Sequence, residues 1–500
     1  MNGFRTRLYK PLLALIAAAL LLGVSFCQTE LNRDREELGL TRLKPLENAP
    51  PMLAFTTVAL GGFRGLIANV LWIRASELQD EGKYFEMVQL ADWITKLQPH
   101  FTTVWIQLAW NMSYNISVKF AEFSDRWLWV QRGIELLRDQ ALKYNPQEPL
   151  IYRELAWHFQ HKIGAGMDDA NLYYKVQWAR VMENVLGSGR PDYAELLHPT
   201  TLAATNRLQT LTGKYKMDPA KMEEVDKAYG PFDWRLPESH SVYWAKLALD
   251  KLVSSNAKPE DLMMLRRSIY QSMQMALYRG RLIEGSFSGD RLAIGLRPNL
   301  DLAPKVNKAY EQMMDEAPDM RDHIGNAHRN ILRDIVYMLY THNRVEEAGL
   351  WFRYLGEKYP SKPLLDYNTN SYPANITLDN YVVGRVQGDV GETSRERTTY
   401  NLDGLFVQSF ENVALGRDGE AAGYALLAQR VWENYMSKLK EKASIERMGL
   451  DPLEQIRDNV LQQLLDPKEG LDPALANRLR TKLGLPAGVN APPTNAPPRR

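Results

Sequence analysis

Residues 105–112, WIQLAWNM, carry the pattern that decides the fold. They place a large residue, Trp105, beside Leu108 and the small Ala109 on one face of a helix. Related spacings occur in LWIRASEL at 71–78, in YRELAWHF at 152–159 and, in part, in WAKLA at 244–248. Because a small residue lets two antiparallel helices approach closely while large neighbours fill the gap, the spacing predicts stacked helical hairpins.

Matching second halves occur at 82–99, 133–146 and 343–360, where a helical pattern closes at a proline. Proline ends such a helix because it cannot continue the hydrogen-bond ladder. One hairpin cannot bury its apolar face alone, so we expect successive hairpins to stack and share a core.

The repeated motifs resemble those of the tetratricopeptide-repeat (TPR) superfamily, clearly over 66–186 and again over 328–360. The chain is also similar to membrane-anchored bacterial repeat proteins. Ile94 stands where the family usually has alanine, and Met112 where it usually has tyrosine, which leaves the number of repeats open. The resemblance implies an all-α, TPR-like helical-hairpin solenoid.

The sequence pattern divides the chain into nine segments. They are a basic cytoplasmic tail (1–10), a transmembrane anchor (11–27), a tether (28–51), TPR-like repeats (52–186), degenerate helical repeats with insertions (187–327), a further TPR-like repeat (328–360), an irregular segment (361–401), C-terminal helices (402–485) and a disordered proline-rich tail (486–500).

The membrane prediction depends on PLLALIAAALLLGVSFC at 11–27. Basic residues precede this run and acidic residues follow it, which favours a cytoplasmic N-terminus and a periplasmic bulk of the chain. We favour an uncleaved signal anchor, with lipidation at Cys27 and signal cleavage as alternatives. A second apolar stretch, 52–73, contains Arg64, and we expect a buried or membrane-resting helix there rather than a second span.

Composition excludes several classes of function. The chain of 500 residues has 61 basic and 60 acidic residues, so its net charge of +1 gives no reason to expect a nucleic-acid partner. A single cysteine excludes an intrachain disulfide framework and any multi-cysteine metal site. Glycine-rich phosphate loops and the G-x-S-x-G elbow do not occur, so we expect no cofactor and no catalytic motif.

Two clusters of chemically competent residues need an interpretation. Glu154, His158 and His161 share one helical face and could hold a transition metal, but we favour ordinary surface or groove histidines. In the segment 230–246, acid–base residues and aromatic rings alternate, which suggests an all-helical enzyme that cleaves polysaccharide. We favour packing between helices for this segment. Its candidate residues are Asp233, Trp234, Glu238, His240, Tyr243 and Trp244.

The family resemblance also implies a concave groove lined by the first helix of each pair. Carried onto this chain, it assigns partner binding to Trp72, Gln79, Trp110, Tyr114, Arg153, Trp157 and His161. For Trp110 and Trp157, wedging between repeats is the competing interpretation. We therefore expect a non-catalytic membrane-anchored scaffold that binds other proteins or peptides, with a polysaccharide-processing enzyme and a structural subunit of a membrane complex as alternatives.

Overall fold

A computed structural model describes residues 15–16, 19–20, 22–31, 33–34, 63–166, 168–187, 189–254, 259–282, 296–366, 368–388, 395–437, 449–467 and 470–486. Over these residues the chain is mostly helical and has almost no strand, which confirms the all-α class. The strands in this part of the chain are β1 (Arg281–Leu282) and β2 (Leu296–Arg297), which pair with each other.

The chain forms two compact units. Unit 1 comprises Met1–Ala228, Phe232–Ser272 and Leu282–Gly295, and unit 2 comprises Tyr229–Pro231, Met273–Arg281 and Leu296–Arg500.

Unit 1 is built from helices that follow the predicted hairpin pattern in its first half. They are α1 (Phe63–Asp80), α2 (Tyr84–Leu97), α3 (Thr102–Trp110), α4 (Phe123–Glu135), α5 (Pro149–Trp157), α6 (Asn171–Leu186), α7 (Tyr193–Leu197), α8 (Leu202–Gly213), α9 (Pro219–Tyr229), α10 (Pro237–Ser254) and the first part of α11 (Pro259–Arg279).

The small residues of the repeated motif lie where the helices meet. Ala75, Ala109, Ala156 and Ala248 are all buried. Gly133 of α4 also approaches α3 closely: an added Cβ atom would lie 2.9 Å from the carbonyl oxygen of Ala109. Glycine is therefore required there by packing rather than by backbone conformation.

Three helices of unit 1 change from α to π geometry near their C-terminal ends. The π segments are Asn111–Ile116 after α3, Leu136–Ala141 after α4 and His158–Gly164 after α5. The first continues into a 3₁₀ turn, Ser117–Lys119, and the second into a helical turn, Leu142–Tyr144. Because a π turn accommodates an extra residue, it shifts the face that the following side chains occupy.

Unit 2 contains the end of α11, the first residue of β1, the strand β2 and a second series of helices. These are α12 (Ala303–Glu316), α13 (Arg321–Thr341), α14 (Val345–Lys358), α15 (Leu378–Gly388), α16 (Arg395–Ala414), α17 (Asp418–Ser437), α18 (Leu453–Leu464) and α19 (Pro473–Lys482), with 3₁₀ turns at Leu300–Leu302 and Pro318–Met320. Helices α13 and α14 form a hairpin, as do α16 and α17.

The segment 361–401 differs from the irregular structure expected. It contains α15 and the start of α16. Helix α15 forms because Tyr381, Val382 and Val383 are buried, so tertiary packing overrides the turn-rich local composition.

The membrane-related predictions fall largely outside the described residues. Positions 11–14, 17, 18 and 21 of the first apolar run, 35–50 of the tether, 52–62 of the second stretch and 487–500 of the tail lie outside them. Within the described part of the chain, no helix is both long enough and apolar enough to cross a membrane. On α1, Leu66, Val70 and Ile73 are 60%, 60% and 61% exposed, so this apolar face is not buried.

Candidate functional site

A cleft of about 750 Å³ opens in unit 1 beside α3, α5 and α11. It is lined by Trp110, Arg153, Glu154, Trp157, Gln160, Met263, Met264, Arg267, Ser268 and Gln271. This volume falls within the range of about 300–1,000 Å³ usual for binding pockets. We call it the Trp110–Trp157 cleft.

Two partly exposed indole rings form the aromatic wall of this cleft. Trp110 is 37% exposed and stacks on Tyr114 with ring centroids 5.5 Å apart. Trp157 is 42% exposed and stacks on His161 at 4.6 Å. Each indole is therefore held in place by the ring four residues further along its helix, while part of its surface stays open to solvent.

Arg153 projects from the same helix as Trp157. Its Nη1 contacts Sδ of Met264 at 3.4 Å, and no carboxylate among the described residues pairs with it. Met264 itself is exposed. The neighbouring Glu154 is buried, and its Oε1 accepts no hydrogen bond within the described residues. The cleft thus combines apolar surface with Arg153, for which no carboxylate partner lies among the described residues.

Tyr114 and His161 lie on the π segments after α3 and α5 and line a second cavity of about 510 Å³. The Tyr114 hydroxyl lies 3.3 Å from Nδ1 of His161. Burial raises the pKa of Tyr114, and burial followed by repulsion from Lys162 lowers the pKa of His161. Both rings are therefore neutral near pH 7.

The floor of this second cavity is a paired set of charges. Lys162 donates to Asp168, Arg126 donates to Asp169 at 2.5 Å, and the Tyr174 hydroxyl donates to Asp168 at 3.2 Å. Burial lowers the pKa of Lys162, against the opposing effect of Asp168. Since these groups pair with one another, we assign them a structural role: they hold α4 and the π segment after α5 against the segment before α6.

The predicted site residues separate into three groups. Trp110, Arg153 and Trp157 line the cleft, and Tyr114 and His161 line the second cavity. Trp72 and Gln79 of α1 line neither: Trp72 packs on Phe101, with ring centroids 5.7 Å apart, and Gln79 accepts a hydrogen bond from Gln107.

Sequence reasoning missed the contribution of α11 to the cleft. Met263, Met264, Arg267, Ser268 and Gln271 all come from this helix, which lacks the repeat motif. The only signal for it was the adjacent pair of methionines, since methionine is over-used at adaptable binding surfaces.

The metal alternative at Glu154, His158 and His161 is not supported. His158 is fully buried and donates from Nδ1 to the Glu154 carbonyl oxygen at 2.8 Å, while His161 stacks on Trp157. No group of three or more His, Cys, Asp or Glu side chains within the described residues is arranged to hold a metal ion.

The carboxylate of Asp233, the leading acid–base candidate, is engaged in hydrogen bonds with the protein itself. Its two oxygens accept from Nε of Arg235 at 2.9 Å and from Nη2 at 2.8 Å. It also accepts from the backbone N–H of Leu282 at 3.2 Å. Glu238 is buried as well. This geometry supports the packing interpretation of the segment 230–246.

Trp234, His240 and Tyr243 of that segment pack with Phe159 and Trp178 in what we call the aromatic core cluster. His240 stacks on Phe159 at 5.1 Å and meets the edge of Trp178 at 4.9 Å. Its Nε2 donates to the Trp234 carbonyl oxygen at 2.9 Å. Burial lowers the pKa of His240 to about 4, so the ring is neutral at pH 7. All five rings are buried, which leaves none to stack on a sugar.

Comparison with known proteins found no relative of this chain. No family model matches the sequence, and neither a curated protein nor a solved structure matches it. The fold and the cleft define the class: an all-α protein with an open groove that carries aromatic, methionine and arginine side chains.

Proposed function

We propose that this chain is a non-catalytic, membrane-anchored scaffold whose TPR-like helices bind a segment of another protein in the Trp110–Trp157 cleft. The observation that carries the proposal is the meeting of two partly exposed indoles with Arg153, which has no carboxylate partner among the described residues. Tryptophan and arginine are the residues that most often dominate binding energy at protein interfaces.

The composition of the cleft indicates the chemistry of its partner. Arg153 and Arg267 outnumber the one carboxylate, Glu154, so an acidic segment complements the charge. The indoles and the flexible Met263 and Met264 suit a large apolar side chain on that segment. Because the cleft is already open and its indoles are held by stacking, little ordering of the scaffold is needed on binding.

Several features support the solenoid and membrane parts of the proposal. The buried alanines of the repeated motif are what stacked hairpins require. The apolar run 11–27 is the proposed anchor, with the bulk of the chain in the periplasm. The exposed face of α1 formed by Leu66, Val70 and Ile73 suits a helix that rests on the same membrane.

The two alternatives fit the observations less well. An enzyme that acts on polysaccharide would need Asp233 and the rings near it to face solvent, whereas Asp233 is paired with Arg235 and the rings are buried. A structural subunit needs a broad apolar contact surface, and it predicts a protein that is unstable without its complex. Purification of a stably folded full-length chain would therefore argue against the second alternative.

The test is affinity capture of full-length protein from detergent-solubilised native membranes after in-cell cross-linking, with identification by mass spectrometry. We expect a stoichiometric partner that is lost from the double variant Arg153→Glu, Trp157→Ala. The matched control is Arg132→Glu, Trp93→Ala, which changes an exposed arginine and an exposed tryptophan of unit 1 outside the cleft. Equal recovery with both double variants, at unchanged helicity, would contradict the proposed site.

A further inference from the structure

An exposed methionine of α11, Met264, forms part of the wall of the Trp110–Trp157 cleft. Its side chain is 51% exposed. Among the methionines that the structure describes, only Met320 of unit 2, at 40%, is exposed as well. A thioether that solvent reaches can be oxidised to the sulfoxide, and methionine sulfoxide reductases reverse this reaction. Met264 therefore gives the cleft a position for reversible chemical modification.

The sulfur of Met264 is also the hydrogen-bond acceptor of Arg153. Nη1 of Arg153 donates to Sδ at 3.4 Å, and no carboxylate among the described residues pairs with this guanidinium group. A thioether sulfur is a weak acceptor. A sulfoxide oxygen is a stronger one, and hydrogen bonds from a charged donor are about twice as strong as those between neutral groups. An oxygen bonded to this sulfur therefore lies within reach of a cation that already contacts the sulfur.

We propose that a peroxide oxidises Met264 to methionine sulfoxide and that the sulfoxide weakens partner binding in the cleft, an inference that rests on the proposed function. With hydrogen peroxide as the oxidant, the sulfur gives up two electrons and forms a bond to one peroxide oxygen. The O–O bond breaks, and the second oxygen leaves as water with both hydrogens. The sulfoxide oxygen then accepts a hydrogen bond from Arg153.

Two properties of the cleft change when the sulfoxide forms. The guanidinium group of Arg153 gains an acceptor within the protein, so an acidic group of the partner has to displace it. The side chain at position 264 becomes polar and chiral, so it no longer offers a flexible apolar surface to the partner. Both changes weaken binding, and reduction of the sulfoxide restores it. Met264 thus acts as a reversible redox control of the cleft.

The first experiment tests the contact with Arg153 and needs no partner. Full-length protein in detergent is treated with hydrogen peroxide until peptide mass spectrometry shows that Met264 is oxidised. It is then labelled with phenylglyoxal, a reagent that modifies accessible arginine side chains. We expect labelling of Arg153 to slow at least about threefold after oxidation, because the guanidinium group is engaged.

Two controls accompany this experiment. Labelling of Arg353, an exposed arginine of α14 outside the cleft, should be the same before and after oxidation. In the variant Met264→Leu, which has no sulfur at this position, peroxide should not change the rate at which Arg153 is labelled. Together they separate an effect of the sulfoxide from a general effect of peroxide on arginine reactivity.

The second experiment measures the effect on the partner. Affinity capture from native membranes is repeated with and without peroxide for wild type, Met264→Leu and Met320→Leu, and each protein is compared with its own untreated sample. We expect peroxide to lower the recovery of the partner at least about fivefold in wild type and in Met320→Leu. The recovery with Met264→Leu should not respond to peroxide. Methionine sulfoxide reductase should restore the recovery with oxidised wild type.

The proposal is overturned by either of two results. The first is unchanged labelling of Arg153 in protein whose Met264 is oxidised, which would show that the sulfoxide does not engage the guanidinium group. The second is a peroxide effect on recovery that is equal in wild type and Met264→Leu, or absent from both. If no partner is captured from untreated membranes, the proposed function fails and the regulation fails with it, whereas the labelling still reports on the sulfoxide contact.

Discussion

The Trp110–Trp157 cleft and the aromatic core cluster have similar compositions and opposite environments. In both, a tryptophan ring packs on a histidine ring, and charged side chains lie close by in the sequence. In the cluster the rings are buried, and Asp233 is paired with Arg235. In the cleft the indoles stay partly exposed, and Arg153 donates to the sulfur of Met264 rather than to a carboxylate of the described residues. Unused contact capacity, rather than residue type, therefore distinguishes a binding surface from a core.

The largest expected difference is in the stability effect of two tryptophan truncations. Trp234→Ala should lower the free energy of unfolding by about 3–5 kcal/mol because it opens a cavity at a fully buried ring. Trp157→Ala should lower it by less than about 1 kcal/mol, since the ring is partly exposed. Urea unfolding of both variants, followed by far-UV circular dichroism, measures the difference. Comparable losses would mean that Trp157 is a packing wedge.

A second comparison concerns carboxylates. Asp233→Asn should lower the free energy of unfolding by about 3 kcal/mol, because it leaves the buried Arg235 guanidinium without its main partner. The matched control, Asp92→Asn, breaks an exposed pair with Lys96 and should cost less than about 1 kcal/mol. The same unfolding assay checks both. A small effect of Asp233→Asn would reopen the question of a catalytic role for this carboxylate.

The pH dependence of the free energy of unfolding should reveal the lowered pKa of His240, the histidine of the aromatic core cluster. The pKa of His240 is lowered to about 4 in the folded chain, against about 6.5 when unfolded, so the unfolded state takes up a proton first as pH falls. His240 therefore contributes a loss of stability from about pH 6.5 down to about pH 4, and no further change below that. The slope approaches about 1.4 kcal/mol per pH unit.

The control for this prediction is His240→Gln, which retains a donor toward the Trp234 carbonyl oxygen but does not titrate. Unit 2 has a similar buried histidine, His328, whose pKa burial also lowers to about 4. Only the difference between wild type and His240→Gln reports on His240. Parallel stability curves for the two proteins between pH 4 and pH 6.5 would contradict the assigned environment.

A smaller effect is expected where the cleft helices meet their neighbours. Gly133→Ala should destabilise by about 1–3 kcal/mol, because the new Cβ would overlap the Ala109 carbonyl oxygen and the Ser113 side chain. Gly213→Ala is the matched control: no atom lies within 4 Å of its new Cβ, and the change should be neutral or mildly stabilising. Thermal unfolding of both variants measures the effect. Similar midpoints for the two variants would exclude close packing of α4 on α3.

The periodicity of the sequence predicted the helices of this structure and which positions on them are buried. The spacing of Ala75, Ala109 and Ala156 identified buried helix positions, because burial of one face follows the helical period. It could not predict that α3 and α5 end in π segments, which shift the register and bring Tyr114 beside His161.

Contacts between segments that are far apart in the chain also could not be predicted from the sequence. The methionine wall of the cleft comes from α11, more than a hundred positions after Arg153, and no periodic signal indicates which distant helix packs there. The ion pair between Arg297 and Glu420 likewise joins residues that lie 123 positions apart in the sequence. Charge pairing in a folded chain, unlike helical periodicity, depends on the tertiary arrangement.

The most direct test of the central claim is in-cell photo-cross-linking with a photoreactive phenylalanine derivative introduced at position 157 and, separately, at position 93. Trp157 lines the cleft, whereas Trp93 is a similarly exposed tryptophan outside it. We predict that position 157 forms an adduct with an acidic segment of one partner protein and that position 93 does not. No adduct at position 157, or equal yields at both positions, would contradict a docking role for the cleft.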